Sequence, residues 1–523
     1  MKNDQIDAVW AYHNNTKHSY QSIRANLHSL DWENRPLPFK IYADLEPIPL
    51  PENLSSSAMA ALAAISSVAT DSGTCADLSR QSLAEILFLT AGVTKRRTYP
   101  GGEMLFRAAA CTGALYHIDL YVVCGDLTEL EAGVYQFSPQ DFSLRQLRAG
   151  DYRSVLIHAS GEDPAIRHAP CVIVGASTFW RNAWKYQARA YRHCYWDNGT
   201  LLANLLAAAA SRRVPAKIVV GFVDATVNQL LGLDSQREAP LSLVALGDAP
   251  QRRIELPPPL TPLTLATLPL SKRIIDYPAM RAMHEASTLV SPEEVAAWRK
   301  GKTKVEGGGI KNEGKSQNRL FPLQLLSDQE LARDSVDDVV VRRGSTREFA
   351  RASISFTQLS TMLDRATRGI PFDFLDGAGD SLNDIYLIVH AVDDLPPGAY
   401  YYRRAEHALE LLKDGDFRAD AGDLGLGQEI PADCSVNVYF LADLTSTLEN
   451  FGNRGYRAAE LEAAIMGGKL YLAAYAQRLG ASGLTFFDDD VCEFFSPHAA
   501  GKSVMFLIAL GKSVNRRNGL RVV

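Results

Sequence analysis

The feature that most constrains this chain is an internal repeat whose period is about half its length. Four short motifs recur in one register, namely 133–135 at 398–400, 150–153 at 415–418, 189–192 at 454–457 and 245–247 at 509–511. The clearest pair is Arg-Ala-Tyr-Arg, which returns 265 residues later as Arg-Gly-Tyr-Arg. One hydrophobic core rarely serves a chain of 523 residues, because cores stop growing near about 250 to 300 residues. The repeat therefore predicts two similar domains in tandem.

Both halves are expected to combine strands with a long helix in the same order. Residues 116–123 alternate apolar and mixed positions, as a half-buried strand does, and 383–389 are their counterpart. The further predicted strands are 171–175, 241–246, 436–441 and 504–510, and the predicted long helices are about 198–212 and 458–479. Strands and helices mix without regular βαβ alternation, so we predict an α+β architecture.

Changes in composition set the expected domain boundaries. The first domain covers 1–250, a linker covers 251–335, and the second domain covers 336–523. The linker is expected to contain a short helix at 291–299, capped by Ser291, and a Gly- and Lys-rich surface loop at 300–318. Residues 309–316 in that loop match the phosphate-loop pattern G-x-x-x-x-G-K-[ST]. No buried strand precedes them and no good helix follows, so we do not interpret them as a nucleotide site.

Composition and charge argue against several classes of protein. The net charge of −6 and a hydrophobic share of 46% are ordinary for a globular protein and disfavour nucleic acid as a partner. No stretch approaches the ~20 apolar residues of a membrane span, and the first residues lack the apolar core of a secretory signal. The seven cysteines are scattered without a C-x-x-C pair, which favours reduced thiols in the cytoplasm.

The sharpest local signal is Arg-Arg-Gly-Ser-Thr-Arg-Glu-Phe at 342–349. Its closely spaced guanidinium groups and its serine hydroxyl are the donors that a phosphate monoester needs. A solvated basic turn has the same composition, so the residues alone leave both interpretations open. The motif resembles the flavin-phosphate motif of the nitroreductase family, in which Arg, Ser and a second basic residue hold the phosphate of FMN.

The first half resembles the same superfamily and, within it, the SagB/ThcOx-type dehydrogenase branch. Arg-Ala-Ala-Ala-Cys-Thr-Gly-Ala-Leu-Tyr-His-Ile-Asp-Leu-Tyr at 107–121 looks like the branch pattern R-x-x-P-S-A-G-A-L-Y-P-x-E-L-Y. Trp-Lys-Tyr-Gln-Ala-Arg-Ala-Tyr-Arg at 184–192 looks like its W-K-Y-x-x-R-A-Y-R. The resemblance covers nearly the whole chain apart from the Gly- and Lys-rich loop, and it implies two tandem FMN-dependent nitroreductase-like domains.

The chain departs from the branch pattern in the segment expected to face the flavin ring. Ala110, Cys111 and Thr112 stand where the branch has Pro-Ser-Ala, and His117 replaces the Pro that follows. A thiol or a hydroxyl can still face a flavin, but any rigidity that the prolines would provide is lost. Contacts from the backbone at 113–115 are therefore firmer expectations than contacts from the side chains at 111 and 112.

The resemblance also implies that the two halves share one FMN site. Nitroreductases bind FMN at a dimer interface, where one subunit supplies the phosphate arm and its partner supplies a small-residue segment against the ring. Here the phosphate motif occurs only in the second half, and the ring segment is well formed only in the first, because 376–380 is degenerate. We therefore expect an intramolecular pseudo-dimer with one FMN site. The expected FMN-binding residues are Arg342, Arg343, Ser345, Arg347, Cys111, Thr112, Gly113, Ala114, Leu115, Gly483, Leu484, Thr485, Lys512 and Arg516.

Lys185 and Tyr186 are the candidates for catalysis. The resemblance implicates this pair in removing a proton while a hydride leaves to the flavin, which converts a thiazoline or oxazoline into the aromatic azole. A lysine must be partly neutral to act as a base near pH 7, and burial among aromatic residues would lower its pKa. A merely solvated lysine is the alternative, as a solvated tail is for Lys512 and Arg516. The repeated arginines are interpreted as structural pairing residues: Arg189, Arg192, Arg454 and Arg457.

The leading functional hypothesis is an FMN oxidase that dehydrogenates an azoline or a similar bond in a peptide-derived or carrier-bound product, with dioxygen as electron acceptor. One rival is an NAD(P)H-dependent nitro or quinone reductase, although no strand followed by G-x-G-x-x-G indicates a nicotinamide domain. The other rival is a non-catalytic scaffold for peptide-modifying partner proteins. No metal site is expected, because the 11 histidines include no H-E-x-x-H. Further association of two chains stays open.

Overall fold

The structure is a computed structural model that describes residues 2–67, 76–99, 102–250, 256–302, 319–375 and 380–514. Some of the residues that the sequence singled out lie outside the described residues. They are the phosphate-loop match at 309–316, residues 376–379 of the degenerate segment 376–380, and Arg516.

The first half folds around a seven-stranded antiparallel sheet. Its strands are β1 (Pro47–Pro49), β4 (Ile118–Cys124), β5 (Gly133–Ser138), β6 (Ser143–Ala149), β7 (Cys171–Thr178), β8 (Ala216–Val219) and β9 (Glu238–Leu246). Their order is β1-β6-β5-β4-β7-β9-β8. A separate two-stranded ribbon, β2 (Val93–Tyr99) and β3 (Gly102–Arg107), leads into β4.

The second half repeats this sheet strand for strand. Its strands are β10 (Leu320–Pro322), β11 (Asn383–Val389), β12 (Gly398–Arg403), β13 (Ala408–Asp414), β14 (Val436–Ala442), β15 (Gly480–Leu484) and β16 (Ser503–Gly511). Their order, β10-β13-β12-β11-β14-β16-β15, is the order of the first sheet. The described residues thus confirm the α+β architecture and the tandem repeat. β10 lies inside 251–335, the range that composition assigned to the linker.

Helices cover the sheets and connect the halves. The α-helices are α1 (Asp7–Asn15), α2 (Tyr20–Ala25), α3 (Ala61–Ser66), α4 (Arg80–Ala91), α5 (Arg153–Ala159), α6 (Pro164–His168), α7 (Phe179–Tyr186), α8 (Ala190–Ser211), α9 (Asp224–Leu231), α10 (Pro278–Ala286), α11 (Pro292–Lys300), α12 (Val336–Arg342), α13 (Phe356–Ala366), α14 (Arg418–Leu424), α15 (Glu429–Asp433), α16 (Leu444–Ala476) and α17 (Asp488–Phe494). Short 3-10 turns lie at Lys2–Asp4, Trp32–Asn34, Thr112–Ala114, Gln187–Arg189 and Arg404–Glu406. The Ser291 cap is confirmed, because its side chain accepts from the backbone N–H of Glu294 at the start of α11.

The long helices α8 and α16 pack against each other and form the centre of the pseudo-dimer. Glycines allow their backbones to approach closely: a Cβ on Gly199 would lie 2.5 Å from the Ala464 Cβ, and a Cβ on Gly468 would lie 2.6 Å from the Ala203 Cβ. Real Cβ atoms do not come this close, so any side chain at either glycine would separate the helices. In the part of the chain that the structure describes, we find no helix long and apolar enough to cross a membrane.

Two buried carboxylates join the halves in a nearly symmetric way. Asp488 of the second half pairs with Arg189 at 3.0 Å and with Arg192 at 2.6 Å, both from the first half. This arrangement confirms that the repeated arginines are structural pairing residues. Burial alone would raise the pKa of Asp488, but the two guanidinium groups outweigh it and hold the pKa well below its usual range.

The mirror pair uses Asp224 of the first half, 264 positions before Asp488. Its carboxylate accepts from Arg454 at 2.7 Å and from Arg457 at 2.8 Å, both from the second half. Burial again opposes ionisation, but the charges of Arg454 and Arg457 lower the pKa of Asp224 to about 2. Each half therefore provides one buried anion for two buried cations of the other.

Asp488→Asn tests the weight of this contact. The substitution removes the carboxylate to which both buried guanidinium groups bond, and breaking a buried pair in this way typically costs about 3 to 5 kcal/mol. Asp489→Asn is the matched control, because its neighbouring carboxylate is 74% exposed and pairs with Lys17, a contact worth about 1 kcal/mol or less. Urea unfolding curves measure both. Equal losses in the two variants would contradict the assignment.

Candidate functional site

The ring segment at 111–116 is a strained loop between β3 and β4. Its backbone has positive φ at Gly113 (63°), at Ala114 (54°) and at Tyr116 (47°). Only glycine adopts this region readily, so two of the three positions carry conformational strain. Strain of this kind persists only where neighbouring contacts enforce it, and it clusters at ligand-binding sites.

Asp197 on α8 enforces the conformation of this loop. Its Oδ1 accepts from the Thr112 backbone N–H at 2.8 Å and from the Thr112 hydroxyl at 2.7 Å. Its Oδ2 lies 3.0 Å from Cys111 Sγ and 2.8 Å from His117 Nε2. One buried carboxylate therefore holds both ends of the segment.

The second half has an equivalent anchor at Glu462, 265 positions after Asp197. Its carboxylate accepts from the backbone N–H groups of Leu382 and Asn383, each at 3.0 Å. A helix carboxylate that fixes the loop before the central strand is thus common to both halves. The repeat could have revealed Asp197, which we missed because its neighbours suggested only a structural helix.

The phosphate motif of the second half follows α12 and runs beside β15 and the end of β16. The Thr346 N–H donates to the Ala481 carbonyl at 2.8 Å, and the Ala350 N–H donates to the Lys512 carbonyl at 2.9 Å. Arg347 and Lys512 are exposed, whereas Arg343 is buried. The backbone of Lys512 therefore lies beside the residue just after the motif, and a contact of its ammonium group with a phosphate stays a prediction.

Arg343 connects the phosphate motif to the ring segment of the other half. Its Nε donates to the Ala108 carbonyl at 2.8 Å and its Nη2 to the Arg107 carbonyl at 3.2 Å. Lys95, on β2, returns the contact by donating to the carbonyls of Arg342 at 2.9 Å and Arg343 at 2.6 Å. Burial, and then the charge of Arg343, lowers the pKa of Lys95 to about 8. Lys95 carries no sequence signature, so its place beside the motif could not be foreseen.

Arg342 does not join this group. Its guanidinium donates to Asp334 at 2.5 Å and to the Tyr475 carbonyl at 2.7 Å. Its side chain lines a cavity together with Lys95 and Asp337. The last turn of α12 directs this side chain away from the ring segment, which the sequence could not show.

Lys185 and Tyr186 lie at the end of α7, beside the ring segment. A Cβ on Gly113 would lie 2.8 Å from the Tyr186 hydroxyl oxygen, so the phenol covers this glycine. Burial, and then the charge of Asp197, raises the pKa of Tyr186. Lys185 is exposed to solvent. Partial burial of its ammonium group, and then the positive charge of Arg347, nevertheless lower its pKa. Arg347 belongs to the second half, so its charge acts on the Lys-Tyr pair across the interface.

The expected FMN-binding residues at 483–485, at the end of β15, lie near the phosphate motif. The Gly483 N–H donates to the Tyr471 hydroxyl, which lies 3.4 Å from Ser345 Oγ. Within the described residues, the hydroxyl of Thr485 is buried without a hydrogen-bond partner. Buried polar groups normally have partners, so this hydroxyl, the exposed cations and the strained loop fit a polar cofactor that carries a phosphate.

Two domains of one fold with a polar site at their interface define a flavoprotein of the nitroreductase type. The model of the nitroreductase family matches residues 77–248 and 340–512, once in each half and over more than half of the chain. The chain therefore belongs to the nitroreductase family, whose members are generally FMN-dependent oxidoreductases.

Individual relatives agree with this assignment. A protein of Methanocaldococcus jannaschii, named as a nitroreductase, is 28% identical over 178 residues, covering 34% of this chain and 83% of that protein. The trifolitoxin operon protein TfxC of Rhizobium leguminosarum bv. trifolii is 27% identical over 182 residues, covering 29% of this chain and 51% of TfxC. A crystal structure from Anabaena variabilis, assigned as a nitroreductase, covers 97% of this chain and 99% of its own, with a TM-score of 0.76 and 26% identity.

Gly113→Ala tests the contact between the ring segment and Tyr186. The new methyl group meets the phenol oxygen at 2.8 Å, so we expect a loss of about 1 to 3 kcal/mol beyond the backbone cost of the left-handed region, about 1 to 2 kcal/mol. Gly427→Ala is the control, because its φ is 69° and nothing lies within 4 Å of its Cβ. In a Tyr186→Phe background the excess loss should shrink. An unchanged excess in the double variant would show that Tyr186 does not cover Gly113.

Proposed function

We propose that the two halves share one FMN site, with the phosphate held by the second half and the ring covered by the first. Ser345, Arg347 and Lys512 supply the donors for the phosphate, and the backbone at 113–115 supplies the surface for the ring. The observation that carries this proposal is the contact that Arg343 makes across the interface with the carbonyls of Ala108 and Arg107. It connects the predicted phosphate motif with the segment that leads into the predicted ring segment.

The proposed reaction is the oxidation of an azoline, or of a similar C–N or C–C bond, in a peptide-derived or carrier-bound product. FMN, when bound, supplies the acceptor for a hydride, and dioxygen is the final electron acceptor. Lys185 removes the proton from the substrate carbon, because burial and then the Arg347 charge lower its pKa and so favour the neutral amine that a base requires. Tyr186 stays protonated, since burial and the Asp197 charge raise its pKa, and its hydroxyl orients the substrate.

The relationship to TfxC supports this reaction class. That protein belongs by name to the trifolitoxin operon, and it aligns with this chain over about half of its own length. A role beside other peptide-modifying proteins fits such a relative. The family's name favours the rival function, an NAD(P)H-dependent reductase, in which NAD(P)H would be the electron donor and the nitro or quinone substrate the acceptor.

Flavin content tests the shared site. The purified chain should carry one FMN, and both Gly113→Val and Arg347→Ala should lose it, although the two positions lie in different halves. Loss of a charge-assisted hydrogen bond of about 1.5 to 3 kcal/mol weakens binding by about 10- to 150-fold. Arg351→Ala is the control, because this exposed arginine pairs with Asp433 instead. Two flavins per chain, or none, would contradict the one-site arrangement.

Turnover tests the Lys-Tyr pair. Lys185→Ala and Tyr186→Phe should retain FMN but lower the rate of substrate oxidation by about 100- to 10,000-fold, whereas Lys272→Ala, which removes a lysine that is 73% exposed, should not. The wild-type rate should rise with pH as Lys185 loses its proton, at a lower pH than an unperturbed lysine would require.

Anaerobic mixing separates the oxidase from the reductase. Under the proposal, NADPH alone leaves the flavin oxidised, and an azoline substrate bleaches it. Rapid bleaching by NADPH alone would overturn the oxidase function and favour the reductase. Variants at 185 and 186 that turn over normally would remove both residues from the mechanism.

A further inference from the structure

Three side chains from separate segments converge on one point beside the ring segment. Cys111 Sγ, His117 Nε2 and a carboxylate oxygen of Asp197 all lie within 4.8 Å of one another. Cys111 begins the strained loop, His117 ends it, and Asp197 comes from α8. Thiolate, imidazole and carboxylate are the three ligand types that bind Zn²⁺ in proteins.

Each of these three side chains also has a second partner of the kind that supports a metal ligand. His117 Nδ1 lies 2.8 Å from Ser177 Oγ, so the other ring nitrogen is oriented toward the cluster. Asp197 Oδ1 accepts two hydrogen bonds from Thr112 and leaves Oδ2 for the cluster. Cys111 Sγ accepts from the Tyr116 N–H at 3.0 Å. Metal-ligating histidines and carboxylates characteristically have such outer hydrogen bonds.

The second half shows that a helix carboxylate can hold the start of the central strand without a histidine. Glu462 accepts from the backbone N–H groups of Leu382 and Asn383 and from the Asn383 side chain. Leu382 stands there at the position of His117. The cysteine and the histidine are also two of the residues by which this segment departs from the nitroreductase branch it resembles. Two departures that both introduce metal-binding side chains meet at one carboxylate.

A small cavity adjoins the cluster. It has a volume of about 20 Å³ and is lined by Cys111, Asp197, Arg107 and Tyr116, among others. A space of this size holds one water molecule. The guanidinium of Arg107 is engaged by the carbonyls of Ile118 and Pro38, and a thiolate with a carboxylate neutralises a dication. The cavity thus offers room for one water beside Cys111 and Asp197.

We propose that Cys111, His117 and Asp197 bind a divalent transition metal of the Zn²⁺ class, with water as the fourth ligand. Ligand distances of about 2.0 to 2.3 Å in a tetrahedral site separate the ligand atoms by about 3.3 to 3.6 Å. In this structure Asp197 Oδ2 lies 3.0 Å from Cys111 Sγ and 2.8 Å from His117 Nε2. Each of these two distances would therefore increase by about half an ångström when the metal binds. The metal cross-links both ends of the ring segment to α8 and stabilises its left-handed backbone. The site does not depend on the proposed reaction.

Zinc content of the full-length protein tests this site. The protein is dialysed against buffered Zn²⁺ and then analysed for zinc and, separately, for FMN. We expect one zinc per chain in the wild type and in Cys492→Ser, which removes a thiol of the second half. Cys111→Ser and His117→Asn should lose the zinc. Ser177→Ala should weaken binding by about 10- to 100-fold, as loss of an outer hydrogen bond does.

Cobalt substitution provides a second readout that needs only the wild type. A Co²⁺ ion bound to the Cys111 thiolate gives a sulfur-to-cobalt charge-transfer band in the cobalt-minus-apo difference spectrum. No zinc in the wild type, or equal zinc in the Cys111→Ser and His117→Asn variants, overturns the proposal and leaves the three side chains as a hydrogen-bonded anchor. Because zinc and FMN are measured separately, loss of flavin with zinc retained counts against the proposed function and not against the metal site.

Discussion

The contact on which the rest of the structure depends is the reciprocal pairing of one buried carboxylate in each half with two arginines of the other. Asp488 and Asp224 would each be unfavourable alone in the interior, and so would the arginines, because ions lose their hydration there. The lowered pKa values of both carboxylates show that the charges compensate each other. Neither half can bury its carboxylate and its two arginines unless the other half supplies the opposite charges. These charges therefore couple the folding of each half to its association with the other.

This coupling determines where the site can lie. Arg189 immediately precedes α8, Arg192 lies in its first turn, and Asp197 follows one to two turns later. The start of this helix therefore holds the second half through two arginines and the ring segment through its carboxylate. When α8 and α16 are in register, the phosphate motif of one half comes within reach of the ring segment of the other. The position of the candidate site thus follows from the packing of the two halves against each other.

The sequence predicted three strands of each seven-stranded sheet but placed the long helices too late. The predicted helix at about 198–212 begins at Ala190, and the one at about 458–479 continues a helix that begins at Leu444 and is kinked at Gly452. The helical turns that were not predicted contain Arg, His, Tyr and Asn. Apolar periodicity does not identify such polar residues as part of a buried helix. These residues are buried because the other half supplies their partners, and this information is not local. The apolar strand at 383–389 was predicted to the residue, since its burial depends only on its own sheet.

In the candidate site, too, the local sequence identifies the residues, whereas contacts between the halves determine what each side chain bonds to. Motif spacing brought Arg343, Ser345 and Arg347 to one segment, yet only the fold assigns them different tasks. Arg343 uses three of its five N–H donors on the carbonyls of Ala108, Arg107 and Gly344. A lysine at this position would lack the planar fork that bonds several acceptors at once. The guanidinium of Arg343 therefore joins the motif of one half to the segment that leads into the loop of the other. The phosphate motif and the ring segment, which are about half the chain apart, therefore act as one structural unit.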